Sequence, residues 1–126
     1  GGDQWRPNIH VDDVSKAIVK IIEAPISKIE KQIFNLCNET QNFTINELGK
    51  KTKSVFPNCK IIISNRDFDK RNYKVSSKKI KKVLDFTATK TVEDVLNEFK
   101  ETFENKKISQ AYQKKYSNFE TLVNES

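Results

Sequence analysis

The stretch GGDQWRPNIHVDDVS, Gly1 to Ser15, organises the interpretation of the chain, because it holds the only tryptophan, the only histidine and one of three arginines. Trp5 and Arg6 place an aromatic ring beside a planar guanidinium, whose rigid fork of donors matches the oxygens of a phosphate. Pro7 then limits the freedom of the backbone. After a short extended piece, Ile9 to Val11, two aspartates add negative charge to the first turn of a helix, where the helix dipole favours it. The stretch therefore predicts the entrance of a site for a phosphate-bearing ligand.

Four helices are predicted from apolar residues at helical spacing and from residues that start or stop helices. The clearest start is the capping box Thr44-Ile45-Asn46-Glu47, in which a hydroxyl and a carboxylate satisfy free backbone amides. Proline marks two of the ends. The expected helices run from Val11 to Pro25, from Thr44 to Pro57, from Ser76 or Ser77 to Leu84, and from Thr91 to Phe103.

Strands are predicted where short apolar runs carry β-branched residues. The run from Gln32 to Leu36 shows little alternation, which is typical of a strand covered on both faces. The run from Cys59 to Ser64 is centred on three consecutive isoleucines, and Tyr73 to Val75 is expected to pair briefly. Such strands need neighbours in a sheet.

Three motifs follow one another along the chain with gaps that fit a known family. They are Gly-x-x-x-Arg-x-x-x-His-Val-x-Asp at Gly2 to Asp13, Ile33-Phe34-Asn35-Leu36 with Phe43 to Leu48, and Arg66 to Tyr73 with Lys79 and Leu84-Asp85-Phe86. Together they resemble the later part of the extended short-chain dehydrogenases/reductases, the NAD-dependent sugar-nucleotide epimerases and dehydratases. The resemblance implies an α/β fold in which residues 1–104 are the C-terminal, substrate-binding part of a Rossmann-type protein. Residues 105–126 are a polar amphipathic tail, expected to be helical, beyond the part that the resemblance covers.

The resemblance also implies a binding site for the diphosphate of a nucleotide sugar. Arg6 falls where the family has an arginine on the diphosphate, and Arg66 and Arg71 fall in a loop with further phosphate contacts. A solvated loop is the ordinary alternative for these two arginines. Four more residues lie at or near the family's nucleotide pocket, and they are Gln4, Trp5, Asn35 and Thr44.

Several positions have ordinary structural interpretations or depart from the family pattern. Asn35 and Thr44 equally suit a strand end and a helix N-cap, and His10 is interpreted as a structural residue that satisfies a backbone group near a helix start. Three departures concern glycines, which tolerate left-handed backbone. Cys37 and Asp85 each replace a glycine of the family, and Asp67-Phe68 replaces its Pro-Gly.

The chemistry of the family depends on a Gly-x-x-Gly-x-x-Gly loop for the NAD pyrophosphate and on a Tyr-x-x-x-Lys pair for acid/base catalysis. Neither occurs here, because the only glycines are Gly1, Gly2 and Gly49 and no tyrosine has a lysine four positions later. No residue is therefore assigned a catalytic role, and the fragment alone is predicted to be inactive. The resemblance implies that NAD(P) is bound mainly by a missing N-terminal part of a parent enzyme, an epimerase, dehydratase or reductase for which a homodimer is considered.

Composition, with 36% apolar and 32% charged residues, is typical of soluble globular proteins. The longest apolar runs are far shorter than the roughly 18 residues of a membrane span, so no membrane partner is expected and the predicted location is the cytoplasm. Cys37 and Cys59 lack both a Cys-x-x-Cys spacing and the second histidine that a metal site would use. No metal ligand is therefore assigned.

The net charge of +6 keeps a second interpretation open, a small basic module that binds nucleic acid. The leading interpretation includes no nucleic acid, because such surfaces usually join arginine and exposed aromatic residues to lysine, whereas 20 of the 23 basic residues here are lysines. The densest basic cluster, Lys78 to Lys82, fits the solvated face of a short helix. A third interpretation is a protein-interaction module that works through Ile108 to Val123.

Overall fold

The computed structural model describes residues 1–63 and 71–105. Within these ranges the chain forms helices and a small antiparallel sheet of two strands, which is a mixed α/β architecture rich in helix. In chain order the elements are β1 (Trp5–Pro7), α1 (Val11–Ile22), α2 (Ile26–Ile29), β2 (Asn42–Thr44), α3 (Ile45–Val55), α4 (Lys78–Leu84) and α5 (Val92–Glu104). The helices α1, α3, α4 and α5 confirm the four that the sequence predicts, and α2 adds a single turn.

Hydrogen-bonding side chains fix where three of the helices begin. Thr44 opens the predicted capping box of α3, and Thr91 opens a second box at α5, each completed by the acidic residue three positions later. His10 is the N-cap of α1, because its Nδ1 accepts a hydrogen bond from the Asp12 N–H at 3.0 Å. The structural interpretation of His10 is thereby confirmed. The expected extended piece ends at this residue, since Val11 is already helical.

Helix α4 ends at an aspartate whose backbone has a conformation that is more common for glycine. Asp85 is the C-cap of this helix and has a left-handed backbone with a φ of 50°. Its N–H donates to the Lys81 carbonyl at 3.0 Å, which closes the last turn. Aspartate and asparagine adopt this conformation more readily than other residues with a side chain. Asp85 therefore keeps the backbone conformation that a glycine would have at a helix end.

The main core lies between α1, α4 and the segment that follows α4. Ala17 and Ile80 are completely buried, and Leu84, Phe86 and Ala88 are nearly so. Burial of apolar surface of this kind stabilises a fold by about 25 cal/mol per Å². Seven partly buried side chains complete the cluster, and they are Ile9, Ile21, Ala24, Ile29, Phe34, Leu36 and Val83.

Asp13 connects α1 to the segment before α5. Its carboxylate is only 1% exposed, and one oxygen accepts hydrogen bonds from the backbone N–H groups of Thr89 at 2.9 Å and Lys90 at 2.8 Å. A buried carboxylate is tolerated only when hydrogen bonds replace the water that it loses. The aspartate therefore does more than complement a helix dipole, because it fixes two distant parts of the chain against each other.

The predicted strands at Gln32 to Leu36 and Cys59 to Ser64 are wrong for the described residues, where both segments lack strand pairing. Ile33 is 81% exposed and Ile62 is 85% exposed, so the β-branched runs are not covered. A strand needs a hydrogen-bonded neighbour, and the described part of the chain provides none for these runs. Tyr73 to Val75 is likewise not a regular strand. Ser64 lies outside the described residues.

The sheet instead joins two segments that the sequence did not mark as strands. In this ribbon β1 and β2 are antiparallel, with Trp5 opposite Thr44 and Pro7 opposite Asn42. Helix α3 follows β2 without a connecting loop, because Thr44 both ends the strand and caps the helix. The ribbon therefore joins the start of the chain directly to α3.

Helix α5 packs against α3, and the ammonium of Lys51 on α3 binds the carboxylate of Glu93 on α5. The apolar stripe of α5 is only partly covered, since Phe99 is 51% and Phe103 is 48% exposed. No helix among residues 1–63 and 71–105 is long and apolar enough to cross a membrane. The helical tail predicted after Asn105 lies outside the described residues.

Candidate functional site

A segment of five residues, 71–75, lies against the ribbon and is called the crossing segment here. At one end the Trp5 N–H donates to the side-chain oxygen of Asn72 at 3.0 Å. At the other end the Asn42 side chain bonds both backbone groups of Val75, donating to the carbonyl at 3.2 Å and accepting from the N–H at 3.1 Å. Side chains, rather than a regular ladder, therefore hold this segment in place.

Arg6 meets the crossing segment directly. Its Nη1 donates to the carbonyl oxygens of Trp5, at 2.7 Å, and of Arg71. Its guanidinium carbon lies 5.5 Å from the centre of the Tyr73 ring, within the range of a cation–π interaction. The two arginines, 65 positions apart in sequence, are thus neighbours in the fold. Arg66, the third predicted arginine, lies outside the described residues.

Trp5 also carries a cation. The ammonium of Lys74 lies 3.4 Å from the centre of the Trp5 ring, and Trp5 is half-buried while Lys74 is exposed. Each such pair contributes about 0.5 to 1 kcal/mol at an exposed site. Five residues make up this surface, which is called the basic aromatic cluster below: Trp5, Arg6, Arg71, Tyr73 and Lys74. Its charged groups give it a positive potential that suits an anion.

Gln4 and Thr44 lie beside the cluster and have structural partners. The Gln4 carbonyl accepts the Ile45 N–H at 3.2 Å, and its side-chain oxygen accepts the Gly2 N–H at 2.7 Å. Thr44 faces Trp5 across the ribbon and accepts the Glu47 N–H at 3.2 Å. The N-cap role that the sequence offered for Thr44 is therefore confirmed, while a role in ligand binding stays a prediction.

Asn35 is the predicted site residue that the described structure does not bring to the cluster. Its side chain is exposed in the unpaired segment before Cys37, and no hydrogen bond among residues 1–63 and 71–105 joins it to Arg6 or Arg71. The strand end that was its ordinary alternative is also absent there, because that segment is not a strand. Asn35 therefore has no structural support as part of the same site.

The start of α4 anchors the far end of the crossing segment. The Glu39 carboxylate accepts the backbone N–H of Ser77 and the hydroxyl of Ser76, the latter at 3.0 Å. These bonds, that of the Ser77 N–H first, lower the pKa of Glu39 although partial burial acts in the opposite direction. The Cys37 thiol, which is unpaired and buried, donates to the Val75 carbonyl at 3.0 Å. Hydrogen bonds thus hold the chain in place from Val75 to the start of α4.

A separate cavity of about 180 Å³ lies between the segment that follows β1 and helix α5, and it is bordered by His10 and Lys90. His10 Nε2 lies 3.0 Å from a Glu98 oxygen, whose partner oxygen accepts from Lys90 at 2.6 Å. The bond from Lys90, and then that from His10, lowers the pKa of Glu98. Because the other ring nitrogen of His10 caps α1, the histidine is engaged at both nitrogens and serves as a structural link.

Two kinds of cofactor site are absent among the described residues. Among them no group of three or more histidine, cysteine or acidic side chains is arranged to hold a metal ion. They contain no strand, glycine-rich loop and helix in succession, so they do not fit the pyrophosphate of a dinucleotide.

Four residues that build the cluster or hold it were not assigned to a site from the sequence: Asn42, Asn72, Tyr73 and Lys74. A signal existed in Arg71 to Lys74, where one tyrosine lies between two basic residues, but Arg6, which contacts Arg71, is 65 positions away. Comparison with models of known protein families finds no match, and a search of curated proteins finds no similar protein.

Proposed function

We propose that the chain is the substrate-binding portion of an NAD(P)-dependent sugar-nucleotide epimerase or dehydratase, and that the basic aromatic cluster holds the diphosphate of the nucleotide sugar. The observation that supports the proposal most is the contact of the Arg6 guanidinium with the Arg71 backbone. The resemblance implies that both arginines bind one diphosphate, which requires them to be close in the fold. Their contact meets this requirement.

The chemistry of the ligand suits the cluster. A diphosphate carries about two negative charges on oxygens that forked donors reach in pairs, and such charge-assisted bonds are stronger than neutral ones. Tyr73 and the two carbonyl oxygens orient the Arg6 guanidinium, which limits the entropy lost when a ligand binds. Lys74 adds a charge that needs no fixed geometry. The uncharged nucleoside gains from none of these charges.

The proposal assigns the dinucleotide loop, NAD(P) and the catalytic Tyr/Lys pair to another part of a parent protein, and it takes that parent to be a Rossmann-type cytoplasmic enzyme of carbohydrate biosynthesis. Exposed apolar side chains support this division. Val11, Ile22 and Ile33 are 69%, 75% and 81% exposed, so their apolar surface is available to a partner. In the proposal these side chains pack against the sheet of the dinucleotide domain.

Binding of nucleic acid has less support from the same surface. A nucleobase would stack on an aromatic face, yet Trp5 already carries Lys74 on one face and Tyr73 carries Arg6. Affinity for a single-stranded oligonucleotide that exceeds the affinity for UDP and falls steeply with salt would favour the nucleic-acid module instead.

Calorimetric titration of the chain tests the proposal. UDP, GDP and dTDP, each paired with its uncharged nucleoside, are titrated at constant ionic strength. We expect at least one diphosphate to bind roughly tenfold more tightly than its nucleoside, since one bond to a charged group is worth about 1.5 kcal/mol or more. Equal affinity for diphosphate and nucleoside in all three pairs would overturn the proposed site.

A further inference from the structure

Asn42 occupies an unusual position between the ribbon and the crossing segment. It lies in β2 opposite Pro7, and its side-chain amide both donates to the Val75 carbonyl and accepts from the Val75 N–H. One side chain thus reproduces the exchange of hydrogen bonds that pairs two strands. We propose that Asn42 is a positioning residue for the basic aromatic cluster, an inference that rests on the proposed function.

The chemistry of the amide explains why asparagine suits this place. Only asparagine and glutamine carry a planar amide with a donor and an acceptor side by side, and the asparagine has the shorter reach. Aspartate would keep the acceptor for the Val75 N–H but would set a second oxygen against the Val75 carbonyl. Alanine would remove both bonds, which would leave the N–H of this half-buried residue unsatisfied and its carbonyl with only the Cys37 thiol.

Val75 links Asn42 to the ligand site, because it directly follows residues of the basic aromatic cluster. Lys74 lies on the Trp5 ring, and Tyr73 lies against the Arg6 guanidinium. These two residues immediately precede Val75 in the chain. At the other end the segment is held by Arg6 and Asn72. A segment fixed at both ends keeps its side chains in register with β1, whereas a segment fixed at one end does not. Asn42 therefore acts on the ligand through Tyr73 and Arg71 and does not contact it.

Two other bonds could make Asn42 dispensable, which is what makes the inference testable. The Cys37 thiol also donates to the Val75 carbonyl, and Glu39 holds Ser77 two residues later. A thiol is a weak donor, and neither bond satisfies the Val75 N–H. We expect these contacts to keep α4 in place when Asn42 is replaced, but not to keep the crossing segment on the ribbon.

Trp5 provides a direct readout because it is the only tryptophan and lies under Lys74. Asn42→Ala and Asn42→Asp are compared with the wild type and with Asn58→Ala, which changes an exposed asparagine after α3. We expect both Asn42 variants to shift Trp5 emission to longer wavelength and to increase its quenching by acrylamide, with unchanged helical circular dichroism. For Asn42→Ala we also expect UDP affinity to fall roughly tenfold, the loss of about one charge-assisted bond, with uridine affinity unchanged.

The outcomes separate this inference from the proposed function. Suppose that the wild type binds UDP more tightly than uridine, and that Asn42→Ala has the same Trp5 emission and the same UDP affinity as the wild type. This result would overturn the positioning role of Asn42 but would not contradict the proposed diphosphate site. If the wild type binds UDP no more tightly than uridine, and GDP and dTDP no more tightly than their nucleosides, the proposed function would be overturned and the positioning role with it. Loss of helical signal in both Asn42 variants would assign the residue to folding and overturn its positioning role, while the same changes in Asn58→Ala would show that they are not specific.

Discussion

The core between α1 and α4 and the ribbon with its crossing segment are held by different forces. In the core, Ala17 and Ile80 are completely buried and their neighbours are apolar. In the ribbon, the Arg6 guanidinium donates to the Arg71 carbonyl and the Asn42 amide bonds to the Val75 backbone. Two cation–π contacts add to these hydrogen bonds. Dispersion and apolar burial decide stability, whereas oriented polar bonds decide geometry. A change in one region should therefore affect a different property from a change in the other.

The largest expected effect is on the stability of the core. Ile80→Ala removes a fully buried side chain and should lower the free energy of unfolding by about 2 to 5 kcal/mol. Chemical denaturation measures it, with Ile62→Ala as a control because Ile62 is 85% exposed and should change stability by less than about 0.5 kcal/mol. If the two variants lost the same free energy of unfolding, the assignment of Ile80 to the core would be contradicted. UDP affinity of the folded Ile80→Ala protein should be unchanged.

The next effect is on ligand binding at the ribbon. Arg6→Lys keeps the charge but loses the planar fork of donors that suits a diphosphate, and it should weaken UDP binding by about 1.5 to 3 kcal/mol, the range for hydrogen bonds to charged groups. Binding of uridine should barely change. Calorimetry of both ligands against both proteins measures the difference. Equal losses for the two ligands, or none for either, would remove Arg6 from the phosphate site.

Two capping threonines allow a matched comparison between the regions. Thr44 on α3 and Thr91 on α5 each open a capping box, so Thr44→Ala and Thr91→Ala should both lower stability by about 0.5 to 2 kcal/mol. Only Thr44 lies beside the basic aromatic cluster. If Thr44 also takes part in binding, as the resemblance implies, only Thr44→Ala lowers UDP affinity once both proteins are folded. Identical UDP affinities would restrict Thr44 to its capping role.

The smallest effect concerns pH. The Ser77 N–H and the serine hydroxyls lower the pKa of Glu39 from its ordinary value of 4.5. A lowered folded-state pKa means that the contribution of Glu39 to stability is present above 4.5 and is lost as the pH falls through the folded-state value. Glu39→Gln should therefore make the decline of stability below this pH less steep. Denaturation midpoints across the acid range measure the slopes, and an unchanged slope would contradict the anchoring role of Glu39.

The sequence predicted the helices well because their signals are local. Proline at 25 and 57 and the box at Thr44 mark boundaries wherever the rest of the chain lies. The strands failed for the opposite reason, since the isoleucine run at 61–63 shows only that a residue type suits a sheet and not whether a partner exists. β1 and β2, at three residues each, are too short to show any alternation.

The candidate site was predictable in part for the same physical reason. Although their role in binding stays a prediction, Arg6 and Arg71 are neighbours in the fold and were named together through the resemblance. Asn42 and Asn72 were not, because an asparagine that bonds a distant backbone looks in the sequence like any loop or turn residue. Asp85 was marked only through the resemblance, as a residue in place of a glycine, and its own sequence neighbourhood does not indicate the left-handed backbone that it keeps.

The most direct test of the central claim is to locate the ligand on the protein. Nitrogen-15 NMR spectra of the chain, recorded during a titration with UDP, report on the backbone amides and the arginine side chains at once. The account predicts that the largest shift changes occur at the Arg6 side chain, at Arg71 and at the Trp5 indole, with little change at Ile80 in the core. Shift changes centred on the cavity beside His10, or shifts with uridine equal to those with UDP, would contradict it.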